Sequence, residues 1–152
     1  MKVAHSVVIA RPPAQVFAFI ADVENERRWQ PDIEELRLTS PGPLRVGSTF
    51  TEVRRTMGRR FTWQMRVTAF EPDSRFCIES TSGTLPYRGC RIVEPVEGGA
   101  RVTELGELEL RGLLRLFEPL LARLSRKPLE VAYRRAKAML ETPTEGASNT
   151  RR

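Results

Sequence analysis

At 152 residues, 40% hydrophobic and 29% charged, the chain is long enough for one packed core and too short for two. No stretch approaches the roughly 18 apolar residues that span a bilayer. The opening MKVAHSVVIARPP is too short and too alternating for a secretory signal, so the expected location is the cytosol. The net charge of +6 allows nucleic acid or an anionic membrane as a partner, but the arginines are spread and no aromatic residues interleave with them, so nucleic acid is not expected.

Residues 2–10, KVAHSVVIA, alternate and are rich in Val, which predicts a strand that Arg11-Pro12-Pro13 stops. Pro13 suits a first helical turn, and Val16, Phe17 and Ile20 follow at helical spacing. A second short helix is predicted over Asp22–Gln30, with Asn25 as a cap and Pro31 as its end. Glu34 to Thr39 reads as a strand before the turn-rich SPGPLRVG.

From Gly47 the β character is strong. STFTEVRRT and RFTWQMRVTAF flank a hairpin turn at Met57-Gly58. In the second of these strands Phe61, Trp63, Met65, Val67 and Ala69 share one face, and Thr62, Gln64, Arg66 and Thr68 the other. Glu71-Pro72-Asp73-Ser74 is turn chemistry, followed by strands over 75–82 and 87–94. Gly98-Gly99 makes a hairpin into RVTELGELEL, where Gly106 marks a bulge or a close approach by the helix. Cys77 and Cys90, the only cysteines, imply no disulfide framework and are expected as buried free thiols.

Beyond Gly112 the period becomes helical. Leu113, Phe117, Leu120 and Leu124 step by four, three and four, and Leu129, Tyr133, Ala136 and Leu140 continue after a break. Pro119 and Pro128 predict a kinked or two-piece helix. Residues 1–141 are expected to form a single domain and 142–152, polar and aperiodic, a disordered tail.

The order strand, two short helices, six strands and long C-terminal helix predicts an α+β helix-grip fold, in which a seven-stranded curved antiparallel sheet wraps around the helix. Local strings agree. RPPAQVFAFIADVENERRWQPDI, VGSTFTEVRRTMGRRFTWQMRVTAFEPDSRF, EPVEGGARVT and AKAMLE resemble, in order, segments of the polyketide cyclase/dehydrase-like branch of the START/Bet v 1 (SRPBCC) superfamily. The resemblance covers residues 2–141. It implies a mostly apolar cavity between sheet and helix, with Trp29 where the short helices meet the cavity mouth, and ligands such as lipids, quinones or polyketides. It carries no shared catalytic motif.

Candidate lining residues are Trp63, Met65 and Val67, then by alternation Phe50, Phe76, Ile78, Cys90 and Leu108. Phe117, Leu120, Leu124 and Tyr133 form the helical wall, and Tyr87, Glu52, Arg54 and Glu104 are the polar candidates. His5 is the only histidine and stands near the chain start, so neither a histidine-based metal site nor a nucleophile–His dyad can be assembled. No metal or cofactor is expected.

The favoured reading is a protein that binds a small hydrophobic ligand. The alternatives are a polyketide cyclase or dehydratase, with Arg54, Glu52 or Tyr87 as acid–base residues, and a lipid or quinone delivery module. The basic helix face suits peripheral contact with an anionic membrane in that last case. Monomer and homodimer are both compatible with the sequence.

Overall fold

The structure is a computed structural model and describes residues 1–143. The chain runs β1 (Lys2–Ile9), α1 (Pro13–Ile20), a 3-10 turn (Val23–Asn25), α2 (Glu26–Trp29), β2 (Ile33–Leu38), β3 (Thr49–Thr56), β4 (Arg59–Glu71), β5 (Arg75–Gly83), β6 (Tyr87–Val96) and β7 (Gly99–Leu108). A second 3-10 turn (Gly112–Phe117) leads into α3 (Glu118–Glu141). The strands form one antiparallel seven-stranded sheet in the order β1-β7-β6-β5-β4-β3-β2. This is the predicted helix-grip architecture. The expected tail lies outside the described residues from 144 onward.

Local chemistry explains most of the boundaries. Pro13 opens α1, whose Val16, Phe17 and Ile20 are buried one turn apart. The 3-10 turn is capped by Asp22, whose carboxylate accepts from the amides of Glu24 and Asn25, and Asn25 takes the N-cap position of α2 without a side-chain capping bond. The Asn25 side-chain amide instead donates to the Phe19 carbonyl at 3.3 Å. Met57 and Gly58, with φ of 50° and 73°, make the tight β3–β4 turn whose twist matches the strands it joins.

The core lies at one end of the concave face. Ile9, Val67, Phe76, Val93, Ala100 and Val102 of the sheet meet Val16, Phe17 and Ile20 of α1 and Ala136 and Leu140 of α3. Phe70 joins Phe17 and Phe76 edge to face, with ring centres 5.6 and 6.1 Å away. Each such fully buried side chain contributes about 1.5–3 kcal/mol relative to exposure.

The structure corrects the reading of the cysteines. Cys77 on β5 and Cys90 on β6 are directly paired across the strands and joined by a disulfide. The Arg75 Nε donates to Cys77 Sγ at 3.4 Å. Phe76 and Ile78 occupy the concave face, so alternation sends Cys77, and with it Cys90, to the outer face.

Beyond Gly112 the helical segment is in two pieces, the 3-10 turn and α3, with the break just ahead of Pro119, whereas α3 continues through Pro128 as one 24-residue helix. The break in the leucine pattern is a change of face. Leu124 to Leu129 is a step of five, which carries the apolar stripe about 140° around the helix. The later set, with Tyr133, Ala136 and Leu140, is buried, whereas Leu113, Phe117, Leu120 and Leu124 are exposed.

Candidate functional site

The middle of the grip is ionic. Strand β6 puts Tyr87, Gly89, Arg91 and Val93 on its concave face, and Arg91 lies opposite Glu104 of β7. Helix α2 supplies Glu26, Trp29 and Gln30, three and four residues apart and hence on one side of the turn. The Arg91 guanidinium grips Glu26 with both ends, at 2.5 and 3.1 Å, and donates to the Ile20 carbonyl at 2.8 Å. Its Nε donates to Glu104 at 3.3 Å, and the Tyr133 hydroxyl on α3 donates to the same Glu104 oxygen. Arg91 also lies over the rings of Trp29 and Phe76, 5.2 and 5.8 Å from their centres.

The network continues outward. Gln30 donates to Glu26 at 2.7 Å and accepts from Arg54 at 2.8 Å. Arg54 is ion-paired with Glu52 beside it on β3 and with Asp32 at 3.0 Å. Two guanidinium groups thus face four carboxylates, Glu26, Glu104, Glu52 and Asp32. Negative charge that is buried without matching countercharge favours protonation. Burial accordingly pushes the Glu26 carboxyl above its ordinary value, although Arg91 pulls it back. Burial, reinforced by the negative charge of Glu104, raises both the Tyr133 and the Tyr87 hydroxyls. For the arginines burial acts downward, but Glu26 and Glu104 hold Arg91, and Glu52 and Asp32 hold Arg54, firmly protonated.

Tyr87 owes its position to two glycines. Gly89 and Gly106 face each other across β6 and β7, and the Tyr87 ring lies over them. A Cβ at Gly89 would stand 2.4 Å from the Tyr87 hydroxyl and one at Gly106 3.2 Å from it. The close approach expected at Gly106 is therefore made by a side chain of the sheet, not by the helix. A cavity of about 10 Å³, the size of one water molecule, lies among Phe76, Ile78, Tyr87, Gly89, Cys90, Arg91 and Glu104. Among the described residues Trp29 Nε1 is the one buried side-chain polar atom without a partner.

A larger space lies beside the helix. A cleft of about 610 Å³ is bounded by Pro31 and Asp32 and by Leu120, Arg123, Leu124, Lys127, Pro128 and Val131 of α3. Asp32 belongs both to this cleft and to the ionic network, so the two adjoin.

The residues singled out in the sequence fall into three groups. Phe50, Met65, Val67, Phe76, Ile78, Trp29 and Tyr133 are buried within the grip, together with Glu52 and Glu104. Trp63, Tyr87, Leu108 and Arg54 are partly buried toward its open end, where Trp63 stacks on Phe61 and donates to the Leu85 carbonyl at 2.8 Å. Phe117, Leu120 and Leu124 are 54%, 53% and 47% exposed, with the last two on the cleft wall. Cys90 borders the small cavity, but its sulfur is committed to the disulfide.

Sequence reasoning missed Arg91, Glu26, Gln30 and Asp32. The available signal was alternation: Arg91 stands two residues from Val93 on a face that is otherwise apolar, and Glu26 is one turn before Trp29.

The family model for polyketide cyclase / dehydrase and lipid transport matches residues 1–141. The chain belongs to this family. No curated protein matches it in sequence. Its fold is similar to TTHA0849 from Thermus thermophilus, at 20% identity and a TM-score of 0.81, over 92% of this chain and 97% of that one. A START superfamily protein from Mycobacterium smegmatis is similar at 14% identity and a TM-score of 0.72, over 92% and 97% of the two chains. The di-domain ARO/CYC BexL of the BE-7585A biosynthetic pathway is similar at 19% identity and a TM-score of 0.72, over 93% of this chain and 48% of that one. The family takes in polyketide cyclases, dehydrases and lipid transport proteins, and the solved structures, each below 25% identity, share the fold. Among the described residues no helix is long and apolar enough to cross a membrane, and no cluster of His, Cys, Asp or Glu is arranged to hold a metal ion.

Proposed function

We propose that this protein binds a small, largely apolar molecule in the cleft beside α3, with the polar end of the molecule directed toward Asp32 and Arg54. The observation that carries this reading is the cleft itself. It is open to solvent along one side, its α3 wall carries Leu120, Leu124, Pro128 and Val131, and it ends at an ion pair of the buried network. The surplus of carboxylates over guanidinium groups favours a ligand that donates a hydrogen bond and disfavours a carboxylate. A hydroxyl meets this requirement.

Nile red, a neutral apolar dye, tests the reading. Its fluorescence should rise saturably on addition of the protein, and Leu120→Glu/Leu124→Glu should abolish the rise while the far-ultraviolet spectrum stays unchanged. Equal enhancement by the variant would remove the cleft from consideration.

A second reading, a cyclase or dehydratase, is supported by Glu104 and Tyr87 meeting at the small cavity. In that case Tyr87 stays protonated at neutral pH and orients the substrate as a hydrogen-bond donor, since its raised hydroxyl suits it poorly for giving up the proton. Arg54 and Glu52 are committed to each other and suit orientation better than proton transfer.

A further inference from the structure

We propose that the 3-10 turn Gly112–Phe117 and the first turns of α3 form a docking element for a membrane surface that contains anionic lipid. Leu113 and Leu116 are 76% and 75% exposed, and Leu114, Phe117, Leu120 and Leu124 are also open to solvent. Six of the ten exposed large hydrophobic residues of the described chain thus fall in this one segment, too concentrated for the scattered exposure of an ordinary surface. The five-residue step between Leu124 and Leu129 is what turns this stripe away from the core that Tyr133, Ala136 and Leu140 fill.

Charge decides the occupant. Arg123 and Lys127 lie beside Leu120 and Leu124, and Arg111, Arg115 and Arg126 belong to the same basic segment. Of these Arg111 pairs with Glu109, and the other four are in no ion pair among the described residues. The one acidic residue between 111 and 127, Glu118, faces the Met1 ammonium at 3.6 Å. A second copy docked about a two-fold axis would bring this positive patch against itself. Single-stranded nucleic acid needs aromatic platforms, and the stripe offers only Phe117. An anionic bilayer accepts both features, since leucines enter the acyl boundary while the basic residues meet the headgroups.

Leu120, Leu124, Arg123 and Lys127 border the ligand cleft too, but Leu113, Leu116, Arg115 and Arg126 do not, so substitutions at these four test docking apart from ligand binding. Co-sedimentation with vesicles of phosphatidylcholine alone, and of phosphatidylcholine mixed with phosphatidylglycerol, tests it with the full chain. Binding is expected to the mixed vesicles only and to fall as salt is added. Arg115→Glu/Arg126→Glu should weaken binding roughly tenfold or more. Leu113→Ser/Leu116→Ser should do the same, and both pairs should leave Nile red binding and the melting temperature unchanged. A Leu116→Trp variant should blue-shift its emission on the mixed vesicles. Absence of binding at low salt, binding indifferent to both pairs, or a dimer that Leu113→Ser/Leu116→Ser dissolves would overturn the proposal.

Discussion

Tyr133 on α3 donates its hydroxyl to the Glu104 carboxylate on β7, and Arg91 donates to the same oxygen. This joins the helix to the buried ionic centre of the concave face through a polar contact. Tyr133 also tilts against Trp29, with ring centres 5.2 Å apart, so its ring and its hydroxyl serve different contacts.

Tyr133→Phe separates those contacts. The ring packing remains, and a hydrogen bond to a charged, buried acceptor is lost. Urea unfolding should show a loss of about 1.5–3 kcal/mol. A loss near zero would mean that water replaces the hydroxyl at Glu104.

Arg91→Met is expected to be more severe. It leaves Glu26 and Glu104 buried without their cation, a change that costs about 3–5 kcal/mol. Replacing the acids as well, in Arg91→Met/Glu26→Gln/Glu104→Gln, should recover part of that loss, because the uncompensated charge is then gone. Equal instability of the single and triple variants would assign the effect to packing around Trp29 and Phe76.

Glu26 gives the stability a pH dependence of definite sign. Burial raises its folded value above the ordinary 4.5, so above that pH the folded protein holds a proton that the unfolded chain has released. The contribution of Glu26 therefore declines as pH rises through the window above 4.5. The stability of the wild type minus that of Glu26→Gln, measured by urea unfolding at several pH values, should fall from mildly acidic to neutral pH. An increase across the same range would show that Arg91 outweighs burial.

The disulfide yields a separate prediction. Cys77 and Cys90 are 13 residues apart, and closing a loop of that order stabilises a fold by about 3 kcal/mol in the chain-entropy account. Denatured protein should show no thiol reactivity until reductant is added, and reduction should lower the melting temperature. Two reactive thiols before reduction would restore the free-cysteine reading.

Much of this fold was legible in the sequence because it rests on local signals. The alternation from Phe61 to Val67, the Met57-Gly58 turn and the Pro13 start each specify their element without reference to the rest of the chain. The ionic centre was not legible in the same way. Glu26 and Glu104 lie 65 and 13 residues from Arg91 in sequence, and the three acquire meaning only when α2, β6 and β7 converge. An arginine on a strand reads as solvent-facing until its register partner is known, which is why Arg91 was passed over although Glu104 was a candidate. The cysteine pairing depended in the same way on the β5–β6 register. The helix showed the reverse case. Its leucine spacing contained the change of face at the five-residue step, but only the burial of Tyr133, Ala136 and Leu140 shows which stripe meets the sheet.

The central claim is that an apolar molecule occupies the cleft beside α3. Native mass spectrometry of the protein purified from cells under mild conditions tests it most directly, with Leu120→Glu/Leu124→Glu prepared in parallel. The wild type should carry a stoichiometric adduct of one small, hydroxyl-bearing apolar molecule, and the variant should carry none. Identical spectra from the two proteins, whether both bare or both carrying the adduct, would contradict it.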